Sequence, residues 1–67
     1  MNVKFNGRTV EIEEQNVSLY DFLLSKQFEL GRLVVELNFE IAPREKWRDI
    51  ILKDNDTIEV LRFVGGG

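Results

Sequence analysis

An Asn-Gly pair at positions 6 and 7, set between two runs of alternating apolar and polar residues, most constrains what this chain can fold into. Val3 and Phe5 precede the pair, and Val10 and Ile12 follow it. Asn and Gly both accept the positive φ values of a type I′ turn, whose twist matches that of paired strands. The spacing predicts antiparallel strands over Met1–Phe5 and Arg8–Ile12, so the rest of the chain must build on an amino-terminal hairpin. Only 67 residues are available to do so. A chain of that size buries about 60% of its unfolded surface, so one small core is expected, dependent on good turns and caps.

After the polar connection Glu13–Asn16, Ser18 reads as a helix N-cap, with Asp21 three residues on as the return partner of a capping box. Val17 and Phe22 have the spacing of a hydrophobic staple. Leu19, Phe22 and Leu23 form one apolar stripe, flanked by Tyr20 and Leu24, and predict a helix from Leu19 to Gln27. Gly31 is then expected to reverse the chain. Leu33–Leu37 is apolar and rich in β-branched residues, as in a strand covered by the helix and flanked on both edges. Asn38-Phe39-Glu40 reads as a turn and Ile41-Ala42 as a short edge strand. Pro43 holds Ala42 extended and starts a short helical turn over Arg44–Trp47. Trp47, Ile50 and Ile51 share one helical face. Asp54-Asn55-Asp56 is a second reversal, in which Asn55 takes the left-handed conformation. Thr57–Val64 is the last strand, with Ile58 and Val60 in the core and Leu61 and Phe63 toward solvent.

This order predicts an α+β domain: a mixed four- to five-stranded sheet with one main helix packed across one face and the last strand beside the first. Residues 1–64 form the domain and residues 65–67 a flexible glycine tail.

Side-chain chemistry is sparse. The chain has no cysteine and no histidine, so it cannot by itself supply a thiolate metal site, a Cys nucleophile or a Ser-His-Asp triad. A net charge of −3 with interspersed signs gives no footprint for nucleic acid, though it suits a partner with a basic docking face. No strictly apolar stretch exceeds three residues, so no membrane span is expected. The first residues lack a signal segment's apolar core, so the cytoplasm is the expected location. Glu13-Glu14 and the Asp54/Asp56 pair read as solvated turn acids, and the latter lacks the helical Glu that completes a calcium loop. Trp47 and the five phenylalanines read mostly as core. Arg44, Lys46 and Arg48 read as a solvated turn with Glu45 and Asp49 as local partners.

Gly65-Gly66-Gly67 is different. Glycine costs the most entropy to order and packs nothing, so three in a row after a strongly patterned strand serve no folding purpose. Such a thread can enter a narrow tunnel in another protein, and Val64–Gly67 fully extended spans roughly 13 Å. Its reactive group is the α-carboxylate of Gly67, which becomes electrophilic only once its oxygen is made a good leaving group. The chain has no nucleotide-binding loop, so a partner enzyme must do that.

The hairpin, the helix and the final strand running into Gly-Gly resemble a ubiquitin-like β-grasp sulfur carrier. The run Val34-Val35-Glu36-Leu37-Asn38, followed by Ile41-Ala42-Pro43-Arg44-Glu45-Lys46-Trp47, is similar to the ThiS family of thiamine-biosynthesis sulfur carriers. The resemblance spans essentially the whole chain, and its specific part is the Asn…Pro-Arg-x-x-Trp segment. Three positions depart from the family pattern. Asn55 stands where Gly is common, Phe39 occupies a turn usually filled by small or polar residues, and the tail has a third glycine.

The resemblance implies a carrier and not an enzyme, binding no cofactor of its own. A ThiF-like adenylating partner, related to the ubiquitin-activating enzymes, would use ATP and Mg to convert the Gly67 carboxylate to an acyl-adenylate. A persulfide donor protein would turn that into a thiocarboxylate, and a ThiG-like thiazole synthase would take the sulfur. Gly65 and Gly66 would thread the partner's site. Leu61, Phe63, Val64 and Phe39 are the docking candidates, and Phe39 either makes a contact or alters its turn. The free carrier is expected to be a monomer. The alternatives are a β-grasp carrier for molybdopterin or tRNA thiolation, and a ubiquitin-like interaction domain whose glycines are inert.

Overall fold

The computed structural model describes residues 1–62. Its elements are β1 (Asn2–Phe5), β2 (Arg8–Glu11), α1 (Leu19–Ser25), β3 (Leu33–Leu37), β4 (Glu40–Ile41) and β5 (Thr57–Arg62), with single 3-10 turns at Leu30–Arg32 and Arg44–Lys46. The strands form one sheet in the order β2-β1-β5-β3-β4. β1 and β5 run parallel, and the other pairs are antiparallel. Leu19, Phe22 and Leu23 of α1 are buried with Val3, Leu33, Val35, Ile58 and Val60 of the sheet. A mixed sheet grasping one helix is the β-grasp arrangement the sequence predicts.

The hairpin forms as its turn chemistry requires. Asn6 at φ +50° and Gly7 at φ +85° join β1 to β2, with Phe5 opposite Arg8. The last strand takes its place beside the first through the Lys4–Thr57 and Phe5–Ile58 pairs. Ile58 is fully buried and Val60 nearly so, as their alternation predicts. Trp47 is buried and its indole N–H donates to Ala42 O at 2.8 Å, so the ring fills the core without stranding its one polar atom.

Several local expectations shift. Ser18 caps α1, its hydroxyl accepting from Asp21 N at 3.0 Å, but Asp21 makes no return bond. Aspartate is one methylene shorter than the Glu that closes such a box. Ser18 bridges Ile51 as well, with Leu19 N donating to Ile50 O and Leu52 N to Val17 O. The helix stops at Ser25, short of Gln27. Gln27 lies at φ +63° and donates its N–H to Leu24 O, a left-handed stop usually built with glycine. Gly31 does not reverse the chain at positive φ but sits within the 3-10 turn Leu30–Arg32.

Asn38 and Phe39, at φ +52° and +71°, make a two-residue turn, so Glu40 already pairs with Leu37 and β4 begins one residue earlier than expected. Of the Asp54/Asp56 pair, only Asp54 is the solvated turn acid expected. Asp56 is buried, accepting from Asn38 Nδ2 at 3.0 Å and Lys53 N at 2.8 Å, while Asp54 accepts from Asn2 N at 2.8 Å. Asn55 between them sits at φ +72°, as its turn role requires. Of the phenylalanines, Phe22 is buried, Phe5 and Phe28 pack against the core half-buried, and Phe39 is exposed; Phe63 lies outside the described residues.

Candidate functional site

The site predicted from sequence is the end of β5 and what surrounds it. Gly65, Gly66 and Gly67, together with Phe63 and Val64, lie outside the described residues. Leu61, two residues from Phe63, is 62% exposed on the face of the sheet away from α1. Strand pairing puts directly opposed residues on one face, so Leu61 stands beside Val34, and Ile41 beside Glu36. Ile41 is 67% exposed. Phe39, in the turn that leads into β4, is 75% exposed. Together these residues give the open face an apolar surface on β3, β4 and β5.

The turn that holds Phe39 is two residues long, Asn38-Phe39, and not the three expected, and the ring projects into solvent. A bulky residue in the left-handed region costs roughly 1–2 kcal/mol, and this one returns none of that through burial. Ile41 was not anticipated as exposed. The signal was available in the parity of a strand that places Ala42 inward. Ala42 is buried and its N–H donates to Val35 O at 2.8 Å, leaving the preceding residue outward.

Acidic groups interrupt the apolar surface. Glu36 and Glu59 are direct register partners between β3 and β5. Like charges opposite one another weaken a strand pair, and here they lie between the Val34–Leu61 pair and the Asn38 turn.

The start of β5 is held by a polar network. Asn38 Oδ1 accepts from Thr57 N at 2.9 Å, Asn38 N donates to Thr57 O at 2.7 Å, and Asn38 Nδ2 reaches Asp56. One side chain thus ties the β3–β4 turn to the first residue of the strand that carries the tail.

The basic cluster does not pair with Glu45 and Asp49. Arg44 donates to Gly31 O at 2.9 Å and lies 5.4 Å from the Trp47 ring. Arg48 donates to the Tyr20 hydroxyl at 3.1 Å and stacks 4.3 Å above that ring. The Tyr20 hydroxyl raises the Arg48 pKa further above its already high ordinary value, so the guanidinium stays charged. Planar guanidinium groups stack on aromatic faces through cation–π attraction. These residues line an open depression of about 370 Å³ with Leu30 and Glu45. A larger one, about 550 Å³, lies between β2 and α1 over Val10, Ile12, Val17 and Phe22. Among the described residues no group of three or more His, Cys, Asp or Glu is placed to hold a metal ion, and no helix is long and apolar enough to cross a membrane.

Comparison with known proteins bears on the family and the fold. The family model described as the ThiS family matches residues 3–67. The sulfur carrier protein ThiS of Bacillus subtilis is 37% identical over 65 residues, covering 97% of this chain and 98% of that protein. The crystal structure of a thiamine biosynthesis protein (ThiS) from Geobacter metallireducens superposes with a TM-score of 0.85 at 30% identity, over the whole of both chains. A thiazole synthase of Paramagnetospirillum magneticum is 34% identical over 71 residues, covering all of this chain and 20% of that much longer protein.

Proposed function

The chain belongs to the ThiS family, and on that premise we propose that it is a sulfur carrier of thiamine biosynthesis whose working atom is the carboxyl carbon of Gly67. Being a carrier, it is a substrate of its partners and not a catalyst. A ThiF-like adenylating enzyme binds ATP and Mg, and the Gly67 carboxylate attacks the α-phosphorus, releasing pyrophosphate. The resulting acyl-adenylate has AMP as a good leaving group. The terminal sulfur of a persulfide donor protein attacks the carbonyl and expels AMP. A second thiol then cleaves the sulfur–sulfur bond, is itself oxidised to a disulfide, and leaves a thiocarboxylate on Gly67. Thiazole synthase consumes that sulfur. We read the setting as the cytoplasm and the free carrier as a monomer.

The observation that carries this reading is Gly65-Gly66-Gly67 two residues after the end of β5, whose outward residue Leu61 stands in an exposed apolar surface. A docking face and a side-chain-free thread close together in sequence are what a partner needs to draw in a backbone carboxylate. Leu61 and Phe39, with Ile41, form the described part of that face, and Phe63 and Val64 continue it in sequence toward the glycines. The opposed Glu36 and Glu59 favour basic groups on the partner. The lack of cysteine suits the scheme, because no internal thiol competes for the activated acyl group. The thiazole synthase that includes a region similar to the whole of this chain supports that enzyme as the recipient.

The test is intact-mass spectrometry after incubation with the adenylating enzyme, ATP, Mg and a persulfide donor. The expected result is a gain equal to exchange of one oxygen for sulfur, absent from a chain lacking Gly66 and Gly67. No gain on the full chain, or the same gain on the shortened one, overturns the reading.

A further inference from the structure

The parallel ladder between β1 and β5 continues past the point where β1 ends. Lys4 N donates to Asp56 O at 2.8 Å and Asn6 N to Ile58 O at 2.9 Å, a regular alternation along β5. The next rung calls for a carbonyl opposite Val60 N. No strand backbone is there, because the chain turns back at Asn6-Gly7 toward β2. The side-chain oxygen of Asn6 takes the place instead, accepting from Val60 N at 2.8 Å across 54 residues of sequence. One asparagine therefore makes the hairpin turn with its backbone and adds a rung to β5 with its amide.

That rung lies where it matters for the tail. Along β5, Ile58 and Val60 turn their backbone groups toward β1, while Glu59 and Leu61 turn theirs toward β3. Among the described residues, the last pairs on the β3 side are Val34–Leu61 and Leu33–Arg62, and the last contact on the β1 side is the Asn6 amide. Beyond these contacts only five residues separate Arg62 from the end of Gly67. Asn6 is thus the last described contact on one flank of the strand that leads to the glycines.

The geometry points to Asn6 as a positioning residue for the carrier's reactive end: its side-chain oxygen clamps Val60 and so holds the described end of β5, Leu61 and Arg62, in a single arrangement. This rests on the reading of Gly67 as the activated group. With the clamp in place, the entry-competent arrangement is the populated one when a partner docks. Without it, the competent fraction falls and apparent affinity falls in proportion, while chemistry in the bound complex is unchanged.

The experiment uses two variants of the full chain. Asn6→Gly keeps a residue that accepts positive φ and so preserves the turn, but removes the acceptor. Asn6→Asp keeps an oxygen in the same place. For Asn6→Gly, amide hydrogen exchange at Val60 should quicken by about tenfold, in line with the loss of one hydrogen bond. NMR order parameters at Leu61 and Arg62 should fall. In ATP-dependent adenylation, KM for the carrier should rise about threefold to tenfold with kcat unchanged. Asn6→Asp should restore both the order and the KM. Unchanged order at Leu61 and Arg62 in Asn6→Gly overturns the clamp, and so does lost order with KM unmoved. A fall in kcat without a rise in KM also counts against it. A wild-type chain that forms no adenylate counts against the carrier reading, and the NMR comparison then judges the clamp by itself.

Discussion

On the face of the sheet under α1, Val3, Leu33, Val35, Ile58 and Val60 are all buried, whereas the opposite face presents Val34, Ile41 and Leu61 among Lys4, Glu36 and Glu59. Both faces come from the same strands, and both hold β-branched or leucine side chains. They differ in what each residue contributes to folding. The covered face supplies the core that a chain of this length can barely assemble. The open face spends apolar surface on water, and at Phe39 it accepts backbone strain too. Strain and exposed apolar area that return nothing to stability are what the proposed docking surface would show.

The largest expected effect sharpens the contrast from the covered side. Ile58→Ala removes a fully buried side chain and should lower stability by about 2–5 kcal/mol, read as an earlier midpoint in urea denaturation. Since a domain of this size has on the order of 5 kcal/mol in total, a loss at the upper end of that range would leave the variant largely unfolded. Asn38→Ala comes next. It strands the Thr57 amide, takes a donor from buried Asp56 and puts alanine at positive φ, for a loss of about 2–3 kcal/mol in the same measurement.

Leu61→Asp, on the open face, should leave the unfolding midpoint within about 0.5 kcal/mol of the parent. It should instead raise KM for adenylation about tenfold, equivalent to about 1.4 kcal/mol of binding. Unfolding of that variant would erase the distinction between the faces. The smallest effect has the opposite sign. Phe39→Gly relieves the left-handed strain and should raise stability by up to about 1 kcal/mol in urea denaturation, while weakening partner binding in a titration. A variant that is both less stable and unaffected in binding would return Phe39 to a purely structural role.

Much of this was legible before any coordinates. The Asn6-Gly7 turn, the Ser18 cap, the Leu33–Leu37 strand and the inward alternation of Ile58 and Val60 all express preferences spanning a few residues. So does the exposure of Leu61, which follows from parity along β5. What escaped notice depended on distant partners. Asp56 looks like a turn acid until Asn38 arrives to bury and bond it. Arg44 and Arg48 stay exposed as expected, but they contact Gly31 and Tyr20 and not the neighbouring carboxylates. Leu52 joins the core because its amide bonds Val17 at the start of the helix. Gln27 ends α1 in a conformation its residue type does not announce.

The order of strands and helix, the inward residues and the side-chain-free end were thus set by short-range patterning, because backbone torsions, strand alternation and glycine's missing side chain act within a few residues. Tertiary packing alone chose which polar groups meet across the fold: Asn38 with Thr57 and Asp56, and Asn6 with Val60. A hydrogen bond between residues 54 positions apart exists only once the sheet has brought its first and last strands together.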